Sequence, residues 1–337
     1  MMDNEKNVQK HNPVLAYLDK NKGILVALVA LLVIFGVLTK FAFWKPANLL
    51  NIVRNSAMTG FIAFGEVLII ITGGIDLSVG AVEAVASTYC AGLILNGMGV
   101  VPAMLIGLLM AIAMGAFNGA MVAFTKVPPF IVTLASMNIA RGVAYMLSNG
   151  TPIAITDANF GAIGNGYLFN VIPYPIIYMA VVMVIMVILV NKTKYGRNIF
   201  AIGGNVEAAR FSGINVKKNL FVTYLIAGCL YGIAGLIYAA RLYSGQPTLG
   251  QGAEMSAIAA AVVGGAAMSG GVGRIGSTFI GALIIALLNC GLDYMNIPFY
   301  WKTIAEGAIV LAAVLIDVSS KDSNGNKKTK KKKAKAE

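Results

Sequence analysis

Gly73-Gly-Ile-Asp-Leu-Ser-Val-Gly80 interrupts an otherwise apolar stretch. Each glycine lowers helix propensity by ~1 kcal/mol. A carboxylate such as Asp76 costs at least ~2.5 kcal/mol in hydrocarbon. Irregular backbone at membrane depth is tolerated only inside protein or beside a water-filled cavity. Two readings follow. Either a discontinuous helix lines a translocation path with Gly73, Gly74, Asp76 and Ser78, or a short cytoplasmic turn holds Asp76 in water. Ser78 stands two residues beyond Asp76, placed to cap a helix that begins near Val79.

Glu66, Glu83, Arg141, Glu254 and Glu306 also stand within apolar runs. Charges in membranes face the bundle interior and are usually paired, so Arg141 is expected to meet Glu66 or Glu83. Asn118, Thr133, Asn138 and Gln246 are neutral hydrogen-bonding groups at or near membrane depth. Beside Phe130, Tyr145 and Trp301 they suit a sugar, which offers hydroxyls and an apolar C–H face. They serve equally as interhelical hydrogen bonds. A second glycine cluster, Gly264 to Gly276, includes Arg274 and reads as a tight turn at the cytoplasmic face. Two glycine-interrupted segments, one in each half, are what an internal inverted repeat in a transporter produces.

Covalent chemistry finds no residues to carry it. The sequence lacks a phosphate-binding G-x-x-x-x-G-K-[ST] loop, a G-x-S-x-G elbow and any His/Cys metal spacing. No catalytic residue, metal or cofactor is expected. The one histidine, His11, sits in the polar N-terminal segment, and Cys90, Cys229 and Cys290 read as small buried hydrophobes.

The elements that must position these groups are helices in a bilayer. The chain is 58% hydrophobic and 12% charged, with a mean hydropathy of +0.78. With Gly counted and Tyr left out the apolar share is roughly 65%, against ~45–50% for soluble domains. Ten runs approach the ~20 apolar residues that a membrane helix needs: 23–39, 57–72, 81–95, 99–125, 129–148, 175–191, 219–240, 253–269, 277–292 and 302–316. The expected fold is an all-α polytopic membrane protein of about ten helices, some discontinuous. Its connections are too short for a soluble catalytic domain. With the N-terminus cytoplasmic, twenty of the 26 basic residues fall inside and four outside, which places both termini in the cytoplasm. The first run is too long, and lacks a small-x-small site after it, for a cleavable signal. The expected organisation is a cytoplasmic segment 1–22, a permease domain 23–318 and a lysine-rich tail 319–337. The +12 net charge thus reports orientation and a tail drawn to anionic lipid, not nucleic acid.

The longest basic loop is 191–218. Gly203, Gly204, Asn205 and Gly213 give turn signals. Between them Val206–Phe211 reads as a short helix, with Asn205 as its N-cap and Glu207 in its first turn. Such a helix makes a contact surface for a soluble partner.

Several stretches together resemble the permease subunits of bacterial sugar ABC importers of the ribose, galactoside and xylose branch. They are Gly73 to Gly80, Pro129-Phe-Ile-Val-Thr-Leu134, Arg141-Gly142, Asn149-Gly-Thr-Pro152, Ala201 to Arg210 with Ser212-Gly-Ile214, Ser244-Gly-Gln-Pro247, Gly264-Gly265, Gly270 to Gly273 and Asn289 to Leu292. The resemblance implies a homodimeric permease in the bacterial inner membrane that does no chemistry itself. Two ATPase subunits would dock on 191–218, where Glu207, Ala208, Ala209 and Gly213 match the family's E-A-A-x-x-x-G coupling motif. An external sugar-binding protein would deliver the solute. Phe130, Thr133 and Asn138 would join the 73–80 break near the solute path. Tyr300-Trp301 looks closer to the galactoside members, and Arg141-Gly142 with Asn149-Gly150 is also ribose-like. An ion-coupled secondary sugar carrier is the alternative, with Glu66, Glu83 and Glu254 as its carboxylates.

Overall fold

The computed structural model describes residues 21–312, 314 and 315. His11 with its polar segment, the lysine-rich tail and the end of the tenth apolar run lie outside the described residues.

The chain is built from α1 (Lys22–Leu38), α2 (Pro46–Ile71), α3 (Val79–Leu95), α4 (Val100–Phe124), α5 (Pro129–Leu147), α6 (Ala158–Asn165), α7 (Tyr174–Lys192), α8 (Lys194–Gly204), α9 (Val206–Phe211), α10 (Val216–Leu242), α11 (Ala253–Val263) and α12 (Ile275–Tyr294). A last helix, α13, covers 299–312. Six of them, α2, α4, α5, α7, α10 and α12, are long and apolar enough to cross a membrane. The other four apolar runs are helical but shorter: α1 and α3 have 17 residues each, α11 has 11, and α13 reaches the edge of the described residues.

Proline sets several helix starts. Pro46 and Pro129 open α2 and α5, and Pro175 stands in the first turn of α7, where the missing N–H costs nothing. Small residues set the closest packing. Gly107, Ala111, Gly115 and Gly119 recur every fourth residue along one buried face of α4; Ala111 and Gly115 meet Gly228 and Gly232 of α10, and Gly119 meets Phe221 and Tyr224. A Cβ on Gly115 would stand 2.5 Å from the Tyr224 carbonyl oxygen. This is the small-residue packing by which helices associate in lipid.

Every residue of α2 from Gly60 to Ile71 is buried. The outer helices show apolar surface instead: Val101, Leu105 and Leu109 on α4, and Val181, Val184 and Ile188 on α7. Polar groups inside and apolar groups outside match a bundle solvated by lipid.

The fold is all-helical as expected, with two short ladders in the connections. Ile153–Ala154 pairs antiparallel with Ser244–Gly245, and Tyr167–Leu168 with Ile172–Pro173. Both ladders sit at the end of the bundle opposite α8 and α9. They satisfy backbone in the 148–173 connection, which also holds α6. The Asp157 carboxylate caps α6 by accepting from Asn159 and Phe160 N–H.

Replacing Gly115 with Leu is expected to drive α4 and α10 apart, overpacking that costs ~1–3 kcal/mol or more. The yield of monodisperse protein after detergent extraction should fall sharply. Gly142→Ala, where a Cβ meets nothing within 4 Å, should leave the yield at the parent level.

Candidate functional site

The 72–78 break begins as a Schellman turn. Gly73 N–H donates to Ile70 O and Gly74 N–H to Ile69 O, and Gly73 has φ +84°, a conformation open to glycine. The chain then continues with Gly74, Asp76 and Ser78 buried, Ile75 and Leu77 half-buried and Gly73 exposed. Asp76 N–H donates to Glu66 Oε1 (3.2 Å), and Tyr231 Oη–H donates to Glu66 Oε2 (3.1 Å). Asp76 Oδ1 accepts from Ser78 N (2.7 Å) and Ser78 Oγ (2.6 Å). Asn118 Nδ2 of α4 donates to Ser78 Oγ (2.9 Å), and Thr133 Oγ1 of α5 donates to Ile75 O (3.3 Å).

One of the two readings of the break is set aside here, and one expectation is corrected. Asp76 is 2% exposed, so it does not stand in water. Ser78 does precede α3, but its hydroxyl makes no cap bond to the helix. It donates to Asp76, because the aspartate two residues back competes for it locally.

Arg141 does not pair with a carboxylate across helices among the described residues. Arg141 Nη1 donates to the carbonyls of Pro247 (2.6 Å) and Leu249 (2.7 Å), and neither Glu66 nor Glu83 is its partner. The cause is the 246–252 loop, which folds into the bundle so closely that a Cβ on Gly80 would fall 1.7 Å from Gly250 O. Its carbonyls need a donor. Glu207 with Arg210 and Asp293 with Lys302 form ion pairs.

A cavity of about 480 Å³ opens between α2, α3, the 246–256 segment, α12 and α13. Asn55, Thr59, Glu83, Gln246, Thr248, Ser256, Asn289 and Glu306 supply polar groups to its wall. Glu306 Oε1 accepts from Ser256 Oγ (2.7 Å) and Asn289 Nδ2 (2.8 Å). The volume falls in the ~300–1,000 Å³ range of small-ligand sites. None of Gly73, Gly74, Asp76, Ser78, Phe130, Thr133 or Asn138 lines it. Gly74, Asp76, Ser78 and Thr133 are buried around the break, Gly73 is exposed beside it, and Phe130 and Asn138 lie on the exposed face of α5. Gln246, Glu83 and Glu306 carried a polar-group signal in the sequence. Asn289 stood only in a stretch that carries the family resemblance, and Asn55, Thr59 and Ser256 did not stand out, because their meeting depends on helix pairing alone.

The Val206–Phe211 helix forms as expected, but Gly203 and Gly204, read as turn residues, instead close the helix α8. Thr193 caps α8, and Asn205 Oδ1 caps α9 by accepting from Ala208 N–H (2.9 Å). Glu207 and Arg210 form an exposed pair at 3.0 Å. Gly204, Asn205, Glu207, Ala208 and Gly213 are exposed, whereas Ala209 packs inward with Ile202 and Val216. Gly213 ends α9 with φ +80°. Phe211, which the sequence reading passed over, is 89% exposed.

Gly203 joins this surface to the break. A Cβ there would stand 1.8 Å from Ile71 O and 2.5 Å from Gly271 N. Gly271 N–H itself donates to Ile71 O (2.9 Å). The end of α2, the second glycine cluster and the end of α8 therefore meet at one point.

The family profile described as "Branched-chain amino acid transport system / permease component" matches residues 48–314. The chain belongs to this permease family. It is 42% identical to the ribose import permease of Bacillus subtilis over 88% of this chain and 92% of that one. It is 39% identical to the ribose import permease of Escherichia coli K12 over 86% and 92%. It is 34% identical to the xylose transport system permease of Haemophilus influenzae over 88% and 96%. No solved structure matches. Family membership gives the apolar-surfaced bundle its setting, a membrane, and its class, a transport component.

Asn205→Ala is expected to cost ~0.5–2 kcal/mol through loss of the cap. Hydrogen exchange should speed up across 206–211 and stay at the parent rate in α10.

Proposed function

We propose that this chain is the membrane permease subunit of an ATP-driven importer of a monosaccharide, with ribose the first candidate. The observation that carries the proposal is a polar cavity of small-ligand size inside a lipid-facing bundle of this permease family. Relatives named as ribose and xylose permeases, aligned over most of both chains, support the sugar class.

In this reading all ten apolar helices lie in the bacterial inner membrane as one permease domain, 23–318, flanked by cytoplasmic segments 1–22 and 319–337. Two copies form the permease, and the two glycine breaks are corresponding positions of an inverted repeat. The basic loop faces the cytoplasm, where α8 and α9 receive the ATPase subunits. Gly204, Asn205, Glu207, Ala208 and Gly213 form the docking surface, with Phe211 as its apolar anchor, and Gly203 and Ala209 tie that surface to the bundle. A sugar-binding protein delivers solute at the opposite end. The solute crosses the cavity held by Glu83, Gln246, Asn289 and Glu306. Thr133, Gly73, Gly74, Asp76 and Ser78 shape the backbone beside its path, and Phe130 and Asn138 stand on the outer face of α5 next to that segment.

The mechanism is a shift between two access states. ATP drives it only through differential affinity of the complex for those states. The partner ATPases, closing on ATP, move α8 and α9. Gly203 passes that displacement to the end of α2 and to the 264–274 connection. No bond in the solute is made or broken.

Reconstitution with the partner ATPase and binding protein in vesicles tests this. Glu207→Ala and Gly213→Val should retain ATP hydrolysis but lose most uptake, with the order of preference among sugars unchanged. Glu306→Leu should cut uptake by about tenfold, as expected when buried donors lose their acceptor, with ATPase docking intact. Full coupled uptake by both loop variants would overturn the loop assignment.

A further inference from the structure

We propose that the chain carries a second, outer solute site, which receives one neutral, hydroxyl-rich solute of monosaccharide size before it reaches the inner cavity. The site is a polar cavity of about 320 Å³ between the start of α2, the end of α10 and the end of α12. The direction of travel, and the sugar as solute, rest on the transport reading above.

Position puts this cavity first on the way in. α2 runs from Pro46 to Ile71, and Ile71 O lies against Gly203 of α8. Asn48 and Asn51, in the first two turns of α2, line the outer cavity, so it opens at the end opposite the basic loop. Asn55 and Asp293 line both this cavity and the one of about 480 Å³, and the two spaces adjoin across these side chains. Both side chains are held. Arg241 Nη1 donates to Asn55 Oδ1, and Asn55 Nδ2 donates to Cys290 Sγ (2.9 Å). Asp293 pairs with Lys302, which lines the inner cavity. A junction pinned by hydrogen bonds and an ion pair makes the two spaces two sites in series.

The lining selects the class of solute. Asn48 Nδ2 donates to Ala42 O (3.1 Å), which leaves its amide oxygen to accept. Asn51 brings an amide that both donates and accepts, and Arg241 has N–H donors beyond the one given to Asn55. Donors set beside acceptors fit neighbouring hydroxyls, each of which does both. Phe43 and Tyr294 meet edge to face at 5.9 Å between ring centroids, an apolar wall for a C–H face. The lining holds one guanidinium and one carboxylate, so its formal charge is zero and a neutral solute suits it better than a sugar acid or amine. The volume stands at the low end of the ~300–1,000 Å³ range of small-ligand sites, which limits the site to one small solute.

The test is protection of a single thiol in the full chain in lipid nanodiscs, without nucleotide or partner proteins. Cys90 and Cys229 are replaced by alanine, and Cys290 by serine, which keeps an acceptor for Asn55. Asn51→Cys or Thr59→Cys is then introduced. Asn51 lines only the outer cavity and is exposed; Thr59 lines only the inner one and is half-buried. The rate of modification by aminoethyl methanethiosulfonate is measured at rising ribose concentration. Ribose should slow modification of both thiols, with different half-protecting concentrations. Adding Asn48→Ala should raise the half-protecting concentration about fivefold for the Asn51→Cys thiol, as loss of one hydrogen bond implies, and leave that of Thr59→Cys at its parent value. Protection of Thr59→Cys alone would overturn the outer site and leave the transport reading standing. Protection of neither thiol would overturn the outer site and count against the inner cavity as well. A single half-protecting concentration that Asn48→Ala shifts at both thiols would show one merged site and also overturn the proposal.

Discussion

A chain that leaves helical conformation in a buried interior must satisfy each freed peptide group from within the protein, and residues 72–78 carry that demand here. The Glu66 carboxylate takes the Asp76 N–H, Asp76 takes the Ser78 N–H, and Thr133 takes Ile75 O. Each of these side chains comes from the break itself or from a helix packed on it, α2 or α5. Tyr231 and Asn118 bring α10 and α4 to the same cluster. For them to arrive, α4 and α10 must approach closely, which the Gly107–Gly119 stripe permits. The small residues and the buried carboxyls therefore serve one requirement.

The same point links the outer surface of the basic loop to the interior. Gly203 has no room for a side chain against Ile71 O and Gly271 N. A displacement of α8 has little slack before it reaches the end of α2 and the 264–274 connection. Close-packed interfaces transmit strain because they do not compress. α2 then runs the length of the bundle past Met58, Thr59 and Ile62, which line the polar cavity. One helix thus joins the end that meets α8 to the wall of the polar cavity.

Much of this was legible in the sequence where the signal was local. The 73–80 break, the start of α3 at Val79 and the Asn205 cap of α9 all come from residue types within a few positions. Even locally, the Ser78 hydroxyl was misplaced, since a helix cap and a bond to Asp76 need the same short reach. The cavity was less legible, because Thr59, Glu83, Gln246 and Glu306 meet only through helix pairing. Arg141 misled for a related reason. Charge suggested a carboxylate, whereas the inward fold of 246–252 supplies two carbonyls instead. The short ladders and α6 escaped notice because two-residue pairings and an eight-residue helix leave no period to read.

The central claim is that α8 and the second glycine cluster move as one body with the end of α2. A tether tests it directly. Gly204 has open space around its Cβ position, and Ser269 is exposed on the cluster. With the three native cysteines replaced, Gly204→Cys and Ser269→Cys are joined by a short bismaleimide in the reconstituted complex, and ATP-driven uptake is measured before and after cross-linking. Uptake that stays at the uncross-linked level is the predicted result. Loss of uptake on cross-linking, with ATP hydrolysis retained, would show that the two segments must slide apart and would contradict the account.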